Sequence, residues 1–165
     1  MSTTRGVIFI HSAFAALCPH IEWAVGGVLG LSEHFDWTRQ AAEPGTWRAE
    51  HAWTGFSGTS SNLAAALMRC LQLRFEVTED TAPGADGQRF SYTPELGIFH
   101  AATNVSGDIV IPENRIRAAL VADALGTRDL RASADELLGG AWDDELEVFR
   151  YAGADTPVRW LHAAV

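Results

Sequence analysis

The stretch HSAFAALCPHIEWAVGG, residues 11–27, places two histidines, a cysteine and a glutamate within twelve positions: His11, Cys18, His20 and Glu22. A cysteine at the start of a helix has its thiolate favoured by the helix dipole, and a histidine at the end of the preceding strand could serve it as a base. Cys18 and His11 are therefore the candidates for nucleophilic chemistry. A metal centre would need three or four ligands. Cys18-Pro19-His20 supplies two, the remainder would have to come from His34, His51 or His100, and no H-x3-H or C-x2-C spacing is present. No metal site and no cofactor are expected. The plainer reading is the favoured one: Cys18 packs as a small apolar group and His20 caps the helix or faces solvent.

Three further stretches carry functional side chains. In TWRAEHAWT (46–54) an alternating strand puts Trp47, Ala49, His51 and Trp53 on one side. Together with His20, these ring-bearing residues are the candidates for ligand binding, either as a stacking platform for a base or as the wall of a small-molecule pocket. Packing in the core or between elements is the favoured explanation. GFSGTSSN (55–62) is a glycine- and hydroxyl-rich loop entering a helix, where N–H groups and the dipole could hold an anion. It lacks a P-loop pattern, so capping is the favoured role. Near the C-terminus, Trp142, Asp143, Asp144 and Glu147 belong to an acidic run that suits a solvated helix face or a docking patch for a basic partner better than acid–base catalysis. No G-x-S-x-G elbow is present.

Composition narrows the chemistry. The chain of 165 residues is 47% hydrophobic and 20% charged, a globular balance that fits one compact domain. Its net charge of −9 argues against a nucleic-acid backbone or an anionic membrane as partner. All twelve basic residues are arginine, which excludes Schiff-base, P-loop and lysine-base chemistry. Cys18 and Cys70 lie far apart and read as free thiols. No apolar run is long enough for a membrane span, and MSTTRGVIFI does not read as a signal peptide, so a cytoplasmic location is expected.

These side chains need elements to hold them. GVIFI (6–10) reads as a strand buried on both faces. Ile21, Ala24, Val25, Val28 and Leu29 then mark one buried helical face, opened by Pro19 and ended by Gly30. Strands are expected at 35–40 and 46–54, followed by a helix capped by Thr59 or Ser60 that buries Leu63, Ala66, Leu67, Cys70 and Leu71. A strand at 73–79 completes the order strand–helix–strand–strand–helix–strand. That order predicts an α+β, ferredoxin-like βαββαβ core over about residues 5–80, within a subdivision 1–80 and 81–165 of a single domain. Beyond it, a strand QRFSYT paired with 73–79 and a hairpin of GIFHAAT with DIVI extend the sheet. A helix from Pro112 to about Ala124 is expected to bury Ile116, Ala119 and Leu120. Two short helices near 133–138 and 142–150 would cover the sheet face left open by the first two.

Six separated blocks, HSAFAALCPHIEWAVGGVLG, PGTWRAEHAW, LRFEVTED, RFSYTPELGIFHA, WDDELEVFRYAG and PVRWLHAAV, resemble, in order and nearly end to end, a family of short actinobacterial proteins classed as a domain of unknown function. The resemblance implies a bacterial cytoplasmic protein and carries no activity, cofactor or catalytic residue. Members of that family tend to be encoded near genes of type II fatty-acid synthesis, which implies a partner among those enzymes. The reading that follows is a non-catalytic accessory or regulatory protein that acts by binding another protein. The alternatives are a metabolite- or amino-acid-sensing module, and an enzyme using Cys18.

Overall fold

The computed structural model describes residues 2–152. The block PVRWLHAAV lies outside them. Among the described residues seven strands form one antiparallel sheet, accompanied by five α-helices, a mixed α+β fold. The strands are β1 (Thr3–Phe14), β2 (Thr38–Arg39), β3 (Thr46–Phe56), β4 (Arg74–Glu79), β5 (Gly87–Thr93), β6 (Gly97–Thr103) and β7 (Ile109–Val110). Their order across the sheet is β2-β3-β1-β4-β5-β6-β7. The β4–β5 pairing carries the sheet from the first half of the chain into the second. Both edge strands are only two residues long, which leaves little unpaired backbone for other chains to extend.

The helices are α1 (Cys18–Leu29), α2 (Thr59–Leu67), α3 (Glu113–Ala124), α4 (Leu130–Leu138) and α5 (Gly140–Tyr151). Alternation along the strands sorts the sheet into two unlike faces. Ile8, Ile10, Phe75 and Val77 point to the face where Ile21 and Val25 of α1 and Leu63 and Leu67 of α2 close the apolar core. The intervening residues, among them Glu76, Arg89 and Ser91, point to the opposite face, where α5 packs on β1 and β5. Gly6 marks the tightest point between strands. A Cβ there would lie 1.8 Å from the Thr78 carbonyl oxygen and 2.7 Å from the Trp53 ring.

Several expectations need correction. The strand at 35–40 shrinks to Thr38–Arg39, because Phe35 leaves the sheet to stack on His51. The N-cap of α2 is Gly58 rather than Thr59 or Ser60, and the helix stops at Leu67, so Leu71 is exposed and Cys70 only half-buried. The last two helices are longer than 133–138 and 142–150, meeting at Gly139, whose φ of 75° ends α4 and starts α5. In α3 only Ala119 is buried; Ile116 and Leu120 are exposed. The helical periodicity is there, but α3 makes its contacts with α4 rather than lying on the sheet.

Candidate functional site

His11 and Cys18 do not come together. His11 is the extra residue at a bulge in β1, between the Ile10–Phe75 and Ser12–Arg74 pairs. Alternation from Val7 and Phe9 places His11, stacked on Phe9, on the buried second face, where its Nε2 lies 2.7 Å from Glu76 Oε2. Cys18 sits at the start of α1 with its Sγ 3.8 Å from the Phe14 carbonyl oxygen. Burial, and next the charge of Glu22, push its thiol pKa up. That is the reverse of what a helix-activated nucleophile needs. The half-buried Cys70 thiol is pushed up by burial as well. Glu22 is structural: its Oε1 accepts from the Phe35 N–H and the Trp37 Nε1–H, both at 2.9 Å. Among the described residues no group of three or more His, Cys, Asp or Glu is placed to hold a metal ion.

Glu76 is the centre of the polar face. Fully buried, its Oε1 accepts from Arg89 Nη2 at 3.1 Å, Ser91 Oγ at 3.1 Å and Arg150 Nη2 at 2.5 Å. Its Oε2 is bound by His11 and by Arg150 Nε at 3.1 Å. Burial alone would raise the carboxyl pKa, but the hydrogen bond from His11 and the guanidinium of Arg150 outweigh it and hold it well below the usual carboxylate range. Asp143 closes the network, its Oδ1 2.6 Å from Arg89 Nη2 and 2.9 Å from Arg150 Nη2. Alongside it, Arg74 bridges Glu43 and Glu145, Thr93 donates to Glu145 at 2.8 Å, and buried Gln40 donates to the carbonyls of His11 and Phe149. A carboxylate whose two oxygens are saturated and sealed from solvent is no general base. The arrangement fastens α5 to the sheet.

The other sequence candidates are also engaged inside the fold. His51 stacks on Phe35 at 4.3 Å and pairs with Glu33 at 2.9 Å; Trp53 is buried; Arg39 lies over the Trp47 ring at 5.8 Å. They form no open aromatic platform. The anion position at the start of α2 is filled by the chain's own Glu79, which accepts from the Gly58 N–H at 2.7 Å, the Ser60 N–H at 2.9 Å and Ser60 Oγ at 2.5 Å. Trp142 packs on Phe99 and donates Nε1–H to the Gly97 carbonyl at 2.9 Å, so with Asp143 it belongs to the α5 anchorage. Asp144 and Glu147 stay exposed.

Two of the surface concavities bear on function. Between α1 and α2 runs an apolar groove of ≈ 790 Å³, where Gly27, Ala65 and Ala66 leave room and Trp23 and Leu71 stand at 80% and 73% exposure. His20 lies in this groove together with Arg69, which has no carboxylate partner among the described residues. Sequence reasoning missed the groove although a signal existed: Trp23 falls off the stripe marked by Ile21, Ala24, Val25 and Val28. The second concavity, ≈ 690 Å³, lies at the end of the sheet and is lined by Thr54, Thr78, Thr103, Gln88 and the Arg5–Asp80 pair. No helix of the described residues is long and apolar enough to cross a membrane.

A seven-stranded antiparallel sheet with a charge-fastened helical C-terminal half and an open apolar groove thus defines a mixed α+β protein. The chain belongs to the family described as Protein of unknown function (DUF3145), whose model matches residues 7–163. Neither the curated proteins nor the solved structures contain a match to it.

Proposed function

We propose that the protein is a cytoplasmic, non-catalytic accessory protein that acts by binding another protein through the α1–α2 groove. The exposed Trp23 at the edge of that groove carries this reading. Burying a tryptophan in a partner is among the commonest sources of binding energy, and large exposed apolar groups mark interaction sites. The groove's charged lining is Arg69 with His20 beside it, on a chain of net charge −9. The occupant that fits is an apolar segment, such as one face of a helix, flanked by acidic residues. An enzyme of fatty-acid synthesis is the partner that the family resemblance implies. The order β4-β1-β3-β2, with α1 and α2 packed together, supports a ferredoxin-like reading of residues 5–80. The test is affinity capture from an actinobacterial lysate with the wild-type chain and with Trp23→Glu. A discrete partner retained by the first and lost by the second supports the reading; equal retention or no partner for either rejects it.

A second reading, a metabolite-sensing module, draws on the threonine-lined cleft, whose hydroxyl and amide groups suit a small polar ligand. Thermal shift against amino acids, nucleotides and acyl-CoAs decides it, since a ligand that binds only the folded state raises the midpoint.

A further inference from the structure

We infer that the cleft at the end of the sheet binds a free α-amino acid with an uncharged polar side chain. The inference rests on the second reading above, which assigns this cleft a small polar ligand, and it names the class of that ligand. At ≈ 690 Å³ the cleft is within the range of small-molecule sites. Alternation puts Arg5, Thr54, Thr78 and Thr103 on one sheet face, the face that α5 covers farther along.

Two features of the lining call for an occupant. Thr103 is only 7% exposed and lines the cleft, yet its hydroxyl has no hydrogen-bond partner among the described residues. Its register partner Gly87 keeps that hydroxyl clear, since a Cβ there would lie 2.5 Å from Thr103 Oγ1. A buried hydroxyl left unpaired is costly, and a ligand that bonds to it recovers that cost. The second feature is the Arg5–Asp80 pair, which meets through Nε and Oδ2 at 2.9 Å. Both Nη groups of Arg5 and Oδ1 of Asp80 have no partner among the described residues. Donors for a carboxylate thus stand beside an acceptor for an ammonium.

Charge selects the class. The other charged lining residues are already engaged: Arg89 is bonded to Glu76 and Asp143, and Glu79 holds the start of α2. One cation and one anion remain, side by side. A nucleotide phosphate would meet a single arginine next to a repelling carboxylate, and a neutral sugar would use neither charge. An α-amino acid carries its carboxylate and ammonium on one carbon and satisfies both. Its side chain then lies toward Thr54 and Thr103, whose hydroxyls favour an amide or hydroxyl group over an apolar one.

The test is isothermal titration calorimetry of the full chain with L-serine, L-threonine, L-asparagine and L-glutamine in turn, and with ethanolamine, an amine without the carboxylate. The expected result is saturable binding of at least one of the four and none of ethanolamine, weakened at least about tenfold by Arg5→Gln and by Thr103→Val. Arg5 is on the surface and valine matches threonine in shape, so both variants keep their circular dichroism. No saturation by any of the four, equal binding of ethanolamine, or wild-type affinity in either variant overturns the inference. A nucleotide or acyl-CoA that raises the melting midpoint while the four amino acids do not bind overturns it too, and leaves the metabolite-sensing reading standing. Trp23→Glu, on the opposite side of the sheet, binds the amino acid as the wild type does, which separates this site from the α1–α2 groove.

Discussion

Arg150, in the last turn of α5, sets its Nε 3.1 Å from Oε2 of Glu76, a residue 74 positions earlier in β4. This pair, with Arg89, Asp143 and His11 around it, ties the C-terminal half of the chain to the sheet that the first half builds. Breaking a buried pair by removing one charge leaves the other uncompensated. Glu76→Gln would remove the buried charge at the centre of the network, leaving Asp143 as the carboxylate shared by Arg89 and Arg150, and is expected to cost about 3–5 kcal/mol of stability, measured by urea unfolding. The pH dependence follows from the lowered pKa of Glu76. Its contribution is present in full above the ordinary carboxylate range, about pH 4, and is lost as pH falls from there toward the folded pKa. Glu76→Gln should therefore flatten the acid limb of the stability profile, and an unchanged limb would show that the carboxylate is not charged in the fold.

The thiols give the second prediction. With both pKa values raised, Cys18 and Cys70 are protonated at neutral pH. Iodoacetamide should modify them more slowly than free cysteine, the rate climbing only above about pH 8.5. Rapid alkylation of Cys18 at neutral pH would revive the nucleophile reading.

Glu79 acts as a built-in anion for α2. Glu79→Ala leaves three donors without their acceptor and should cost about 1.5–3 kcal/mol. Sulfate, binding the vacated helix N-terminus, should raise the melting midpoint of this variant more than that of the wild type. Equal shifts would mean that the donors find other partners.

Two glycines set opposite expectations. Gly6→Ala drives a methyl into the Thr78 carbonyl and should destabilise by about 1–3 kcal/mol or more. Gly27→Ala, inside α1 with nothing within 4 Å of the new Cβ, should stabilise by about 0.5–1 kcal/mol. Thermal unfolding of both variants decides the signs.

Much of the scaffold was legible because it rests on local periodicity: the faces of Ile21 and Val25 in α1, Leu63 and Leu67 in α2, and the alternation of Leu73, Phe75 and Val77 are all kept. What escaped depends on distant partners. Nothing near Glu76 in sequence announces His11, Arg89 and Arg150, since the pairing of β1 with β4 and the docking of α5 arise only as the sheet forms. Burial of Ile116 and Leu120 was misjudged for a related reason. Periodicity marks which face of a helix is apolar and says nothing of whether the covering surface lies in the same chain. The functional candidates fared similarly, for His51, Trp53 and Trp142 have the right chemistry for binding but are used in packing, while Trp23 stands free.

The central claim, that the α1–α2 groove docks a partner protein, is tested most directly by photo-cross-linking in cells. Benzoylphenylalanine is placed at position 23, in the groove, and in a control chain at position 95, on the exposed turn between β5 and β6. The expected result is a discrete adduct with one other protein from position 23 and none from position 95. Adducts from position 95 with none from position 23 would contradict the claim.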